Sequence, residues 1–296
     1  MSGTLPRWLS TLALVIIGGS AIALSILALA HVRPAPGDDS TAPPVSLAPP
    51  SVTPLLPSPT PTDLRGTKSY DRSKERFLTS ASGVLWRGIA GSCGESDPLL
   101  ERSVDGGTTW RDVTPRYLGI AQLLSLRSFA DEQAEVVALM GADCEAQALR
   151  TFTQGQYWES YPDALAASQY LDPTDPSSIV RMDSTLTAPC AESRSLRDSE
   201  TALALVCEGV AYILREGVDW DALPAVGAQA VAVDASDVVV AHRSDACDGI
   251  AITRYALTDP RVERGSKCLP GSVSEVAIAI SEAGVTTWSG QDIVTQ

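Results

Sequence analysis

Aromatic residues make up only 5% of this 296-residue chain, and histidine is limited to His31 and His242. Few aromatics leave the core to Ala, Val, Leu and Ile, which bury less surface each and suit many small packed layers better than one thick core. A Ser–His–acid or Cys–His centre has a single candidate base in the body of the chain, His242, and G-x-S-x-G is absent. His242 lies in the run DVVVAHRSD, which reads as a solvent-facing position on a strand, so no catalytic residue is assigned. The chain also lacks C-x-x-C, any close cysteine pair and an EF-hand series of acids, so neither a metal site nor a bound cofactor is expected. Basic residues are outnumbered 22 to 36, for a net charge of −14 that falls wholly after the first acid, Asp38. Such a surface repels phosphate backbones, which excludes nucleic acid as a partner.

Residues 8–30 carry no charged side chain. At 1.5 Å rise per residue they predict a helix of about 34 Å, long enough to cross a bilayer. Arg7 precedes the run and Asp38 and Asp39 follow it, a bias that places the N-terminus inside. Residues 34–62 then hold ten of the twenty prolines and cannot bury a core or pair their backbone. The expected organisation is a cytoplasmic N-terminus at 1–7, a single transmembrane helix at 8–32 and a disordered proline-rich stalk at 33–66. An extracellular β-rich domain at 67–296 completes it. Ala28-Leu29-Ala30 has the small-x-small form of a signal-peptidase site, so the alternative is a secreted protein cleaved after Ala30.

Six cysteines, Cys93, Cys144, Cys190, Cys207, Cys247 and Cys268, all fall in that domain. An even number outside the membrane reads as three disulfides. Of fifteen pairings, the one preferred joins neighbours along the chain: Cys93–Cys144, Cys190–Cys207 and Cys247–Cys268.

Beyond residue 64 the chain is a series of short apolar runs cut by turn residues, such as VLWRGIA, AEVVALM, TALALVC and EVAIAIS. Three stretches share a pattern: an apolar strand containing Arg, a turn glycine, and Trp three residues later. The pairs are Gly107/Trp110, Gly155/Trp158 and Gly217/Trp220, each with a cysteine upstream, and Trp288 in the last unit echoes Trp86 in the first. Repeats of a few short strands each predict an all-β, small β-propeller of about five four-stranded blades. Six is the alternative count, with residues 170–190 as a reduced blade. The last unit ends after three strands, and the segment near residues 70–78 is expected to complete it and close the ring.

The run Ser103-Val104-Asp105-Gly106-Gly107-Thr108-Thr109-Trp110 matches the Asp-box, S-x-D-x-G-x-T-W, at every defined position. Over these eight residues the chain resembles the BNR-type propellers of sialidases, sortilin-like domains and photosystem II assembly factors. Thr153 and Arg215 stand where Asp105 would in the other copies, and the DPxDP stretch at Asp172 resembles a strand-joining turn of such blades. The resemblance implies a structural role for Ser103, Asp105, Gly107, Thr109 and Trp110: the carboxylate accepts main-chain N–H groups and Trp110 packs between blades. It carries over no sialidase arginine trio, Tyr/Glu pair or catalytic Asp. The function expected is a non-enzymatic, envelope-anchored binding or scaffolding module for a protein or glycan ligand. The alternatives are a sialidase-like glycoside hydrolase and an assembly factor for a membrane complex.

Overall fold

Every group of three or four consecutive apolar runs folds back on itself as an antiparallel meander, because the turns between them are short and rich in glycine. The computed structural model describes residues 72–130, 132–181, 184–215 and 219–296. The expected transmembrane helix, the stalk, the Ala30 cleavage point and Gly217 lie outside the described residues. Among the described residues no helix is long and apolar enough to cross a membrane.

Six sheets follow in chain order. The first holds β1 (Arg76–Ala81), β2 (Val84–Ile89), β3 (Leu99–Ser103) and β4 (Arg111–Asp112). The second holds β5 (Ile120–Phe129), β6 (Gln133–Met140), β7 (Glu145–Thr151) and β8 (Glu159–Ser160). One short helix, α1 (Pro162–Ala167), leads to the third, with β9 (Gln169–Leu171), β10 (Ser178–Arg181) and β11 (Ser184–Thr187). The fourth comprises β12 (Ser193–Asp198), β13 (Leu203–Cys207), β14 (Val210–Leu214) and β15 (Asp221–Val226). The fifth comprises β16 (Ala228–Val233), β17 (Asp237–Ser244), β18 (Cys247–Ala256) and β19 (Asp259–Leu269). The sixth has β20 (Val276–Ser281), β21 (Gly284–Ser289) and β22 (Asp292–Thr295).

The first strand of each sheet touches the first strand of the next, and β20 returns to β1, so the sheets form a closed ring of six blades about an axis. The hydrophobic core is divided accordingly into one cluster per junction. Phe77, Trp86 and Leu100 of the first blade meet Leu123, Val136 and Trp158 of the second, and similar clusters fill the remaining junctions. The last, made of Leu78, Ala277, Ala279 and Trp288, joins the sixth blade to the first. Because both faces of a blade are covered, middle strands such as β2, β6, β13 and β21 are buried in continuous runs rather than at alternate positions; all five residues of β13 (LALVC) are buried.

The blade count corrects the expectation of five. The missed blade is the third, whose strands are three or four residues long and which carries no Gly/Trp mark. It spans the stretch that the alternative count treats as a reduced blade. Ring closure also differs from expectation. Arg76 to Leu78 belong to β1 and pair with β2 rather than with the last sheet, and among the described residues the sixth sheet has three strands. Trp86 in β2 and Trp288 in β21 occupy the second strand of their sheets, as their sequence echo implies.

The six cysteines form three disulfides, Cys93–Cys144, Cys190–Cys207 and Cys247–Cys268. The first links the β2–β3 connection of blade one to the β6–β7 connection of blade two, while the third staples β18 to β19 within blade five. Three disulfides fit an oxidising environment.

Candidate functional site

The turn at residues 103–110 is held by its own side chains. Ser103 Oγ accepts the Gly107 N–H at 2.9 Å, and Asp105 Oδ1 accepts the Thr109 N–H at 2.9 Å. The other carboxylate oxygen takes the Thr109 hydroxyl at 2.6 Å, and Ser103 donates to Oδ1 at 2.7 Å. These bonds, the Thr109 hydroxyl first, hold the Asp105 carboxyl at about 2, below its ordinary value. In the second blade Thr151 and Thr153 stand at the places of Ser103 and Asp105 and reproduce the pattern. The Gly155 N–H donates to Thr151 Oγ1 at 2.9 Å and the Tyr157 N–H to Thr153 Oγ1 at 2.8 Å. A hydroxyl therefore maintains the turn where the carboxylate has been lost. In the fourth blade Arg215 instead bonds Asp221 at 2.6 Å and reaches the Leu257 carbonyl of the fifth blade at 3.3 Å. The Asp172 turn joins β9 to β10, its Oδ1 accepting the Thr174 N–H at 2.8 Å.

The repeated glycines and tryptophans meet the neighbouring blade. A Cβ on Gly107 would stand 2.9 Å from Ile293 of the sixth blade, and one on Gly155 2.7 Å from Val113 of the first; both residues have positive φ, 91° and 83°. The Trp158 indole N–H donates to Val113 O at 3.0 Å, and Trp220 to Thr187 O at 3.0 Å, each reaching the preceding blade. Trp110 differs: its N–H returns to Gly107 O within its own turn at 2.9 Å, and Arg87 lies 3.9 Å above its ring. Arg87 also lies 4.8 Å from Trp288, which is faced by Arg76 at 4.3 Å. Two arginines and two tryptophans thus line the seam where the ring closes, with Arg87 bonded to Glu101 and Arg76 to Glu275.

A second group of charges, which the sequence reading did not single out, lies on the axis. Blades one and four are opposite in a ring of six, so contacts between them cross the centre. Glu75, just before β1, accepts the Ser195 N–H of β12 at 3.1 Å, and Arg197 of β12 donates to Arg76 O at 2.9 Å and to Leu196 O at 2.7 Å. Asp198 pairs with Arg127 of the second blade at 3.1 Å, beside an axial cavity of about 330 Å³ lined by Thr79, Ser128, Ala232 and Ile278. Burial pushes the Arg197 guanidinium below its ordinary value, with Glu75 opposing. Burial raises the Asp198 carboxyl, with Arg127 opposing. The legible signal is the strand SRSLRD itself, which carries two arginines and an aspartate on an inner strand.

His242 is half-buried in β17 rather than turned to solvent, and both ring nitrogens are engaged. Nδ1 lies 2.8 Å from the Arg243 carbonyl, which only accepts, so Nδ1 carries the proton. Nε2 lies 2.8 Å from Thr253 Oγ1, which lies 3.1 Å from Ser266 Oγ. With a carbonyl in place of an orienting carboxylate, this row is a cross-strand polar ladder along an open cleft of about 970 Å³, bordered by Tyr255 and Glu263. Among the described residues no three His, Cys, Asp or Glu converge as metal ligands.

No protein-family profile matches the sequence, and no curated protein matches it. Solved structures do match. A structure of YCF48 bound to D1 peptide is 12% identical over 72% of this chain and 59% of that one, less than two thirds of its length, with a TM-score of 0.27. The fucoside-bound Aleuria aurantia lectin is 9% identical over 75% and 93%, with a TM-score of 0.42. A thermostable family-43 glycoside hydrolase is 8% identical over 75% and 87%, with a TM-score of 0.35. At these identities and TM-scores the comparisons transfer no ligand, substrate or partner to this chain.

Proposed function

We propose that the protein is a non-enzymatic binding module, a rigid six-bladed platform that takes a protein or glycan ligand outside the cytoplasmic membrane. The observation that carries this reading is the commitment of the axial arginines. Arg72 is bonded to Glu75, Arg127 to Asp198 and Arg197 to two main-chain carbonyls. Among the described residues no trio of free arginines stands ready to grip a substrate carboxylate. The one histidine of the domain is occupied by a carbonyl and a hydroxyl. What faces solvent instead is the polar cleft on blade five and the turns between strands, the surfaces on which propellers present loops to partners. The disulfides and the apolar run at residues 8–32 support an exported, anchored form, with the proline-rich segment as spacer.

The purified protein tested on a glycan array and against fluorogenic sialosides and xylosides is expected to retain a ligand without turning one over. Hydrolysis at a rate removed by Asp198→Asn would instead establish a glycoside hydrolase. That second reading rests on a buried carboxyl raised above its ordinary value beside the axial cavity, as a general acid requires.

A further inference from the structure

The face that blade five turns towards blade six changes from apolar to cationic along its strands. On β18, Thr253 and Tyr255 border the polar cleft, while the alternate residues Ile252 and Arg254 look the other way, into the junction between the blades. A cavity of about 260 Å³ lies in that junction, walled by Ile252 and Leu269 of blade five and Val285 of blade six. Arg254, Arg264 and Lys267 line it as well. An apolar hollow with a few convergent charged groups is the usual form of a small-molecule site.

The strand register aims the cations there. Arg254 stands opposite Gly265 and Tyr255 opposite Glu263, which leaves Arg264 as the extra residue of a β-bulge. A bulge re-aims the side chain it carries, and Arg264 Nη1 comes to 2.9 Å from Asp237 Oδ1. Arg254 Nη1 holds the other oxygen of this buried carboxylate, also at 2.9 Å. One carboxylate is thus shared by two guanidinium groups. Asp237 Oδ1 accepts no hydrogen bond among the described residues, so the Arg264 donors remain uncommitted. Lys267 has no ion-pair partner among them either. Gln296 also borders the cavity, its main-chain carbonyl accepting the Val285 N–H. Even with its α-carboxylate counted beside Asp237, Arg254, Arg264 and Lys267 leave a positive excess. Gly265, between Arg264 and Lys267, adds no side chain, and a Cβ there would meet nothing within 4 Å, so the space beside both cations is open.

We propose that this cavity binds a small amphiphilic monocarboxylate, an aliphatic acid whose carboxylate sits between Arg264 and Lys267 and whose chain lies against Ile252, Leu269 and Val285. Inorganic phosphate or a sugar acid would offer nothing to the apolar walls, and an alkylamine would meet the cations. The volume of about 260 Å³ is just below the usual range of ligand sites, roughly 300–1,000 Å³, which limits the chain to moderate length. The cavity opens on the opposite face of blade five from the polar cleft, so it stands or falls independently of the ligand-binding role.

Octanoate is the probe, titrated calorimetrically into the purified full chain. Saturable binding is expected, tightening about three- to four-fold for each methylene added from butanoate to octanoate. Octanol and octylamine, of the same chain length, should bind at least about ten-fold more weakly, because neither gives Arg264 and Lys267 an anionic acceptor. Lys267→Gln and Arg264→Gln change exposed side chains and should each weaken octanoate several-fold. Val285→Phe fills the apolar end and should abolish the dependence on chain length; if that variant does not fold, the two charge variants decide. Octanoate held no more tightly than octanol would overturn the proposal. So would an affinity unchanged in both charge variants, which would place the ligand elsewhere on the protein.

Discussion

The guanidinium carbon of Arg87, in the first blade, lies 4.8 Å from the ring centre of Trp288, in the last. This contact spans the seam at which the ring must close on itself. Arg87 also lies over the Trp110 ring and Arg76 over that of Trp288, so the closure is a set of cation–π contacts backed by the ion pairs Arg87–Glu101 and Arg76–Glu275. Partly desolvated contacts of this kind contribute about 0.5–2 kcal/mol each.

Trp288→Ala removes a buried indole from the smallest interblade cluster and should destabilise the protein by about 3–5 kcal/mol in a urea melt. The double-mutant cycle of Arg87→Gln with Trp288→Ala is expected to show a coupling of about 0.5–2 kcal/mol. Additivity within error would mean that the seam relies on apolar packing alone.

Gly107 and Gly155 combine positive φ with a neighbouring blade at contact distance. Gly155→Ala should therefore destabilise by more than about 1 kcal/mol, the sum of backbone strain and the approach to Val113. Adding Val113→Ala relieves only the second part, so partial rescue is the expected result in thermal unfolding. No rescue would show that the backbone conformation alone dictates glycine here.

Asp105 gives a pH signature. Its folded value of about 2 lies below the unfolded value of about 4. Its stabilisation is therefore complete above the unfolded value and is lost as pH falls through the folded one. The Tm difference between wild type and Asp105→Asn should be constant from neutral pH to about 5 and shrink towards pH 2. A difference that does not change over that range would assign the effect of the substitution to packing rather than to the carboxylate.

The three disulfides close loops of 51, 17 and 21 residues, which in the chain-entropy model restrict the unfolded state by about 4, 3 and 3 kcal/mol. Removing Cys93–Cys144 as a double serine variant should cost the most, since it also unlinks blades one and two. Denaturant midpoints of the three double variants test the order.

Much of the local structure is legible in the residues themselves. The turn at residues 103–110 depends on hydrogen bonds that span at most four residues, and its threonine copy in blade two keeps the same spacing. The strands and their meander order also follow from apolar runs separated by turns, and the cysteines pair between neighbours along the chain. Other features belong to the tertiary structure. The third blade is built from strands too short to mark themselves, and becomes a blade only because Leu171 and Ile179 pack against Leu205 of the fourth. The seam brings Arg87 to Trp288, and the axis brings Glu75 to Ser195, across separations of about two hundred and of 120 residues. Turn chemistry is decided within a few bonds of backbone, whereas the partners of Arg72, Arg197 and Asp198 are chosen only when six sheets close around a common axis.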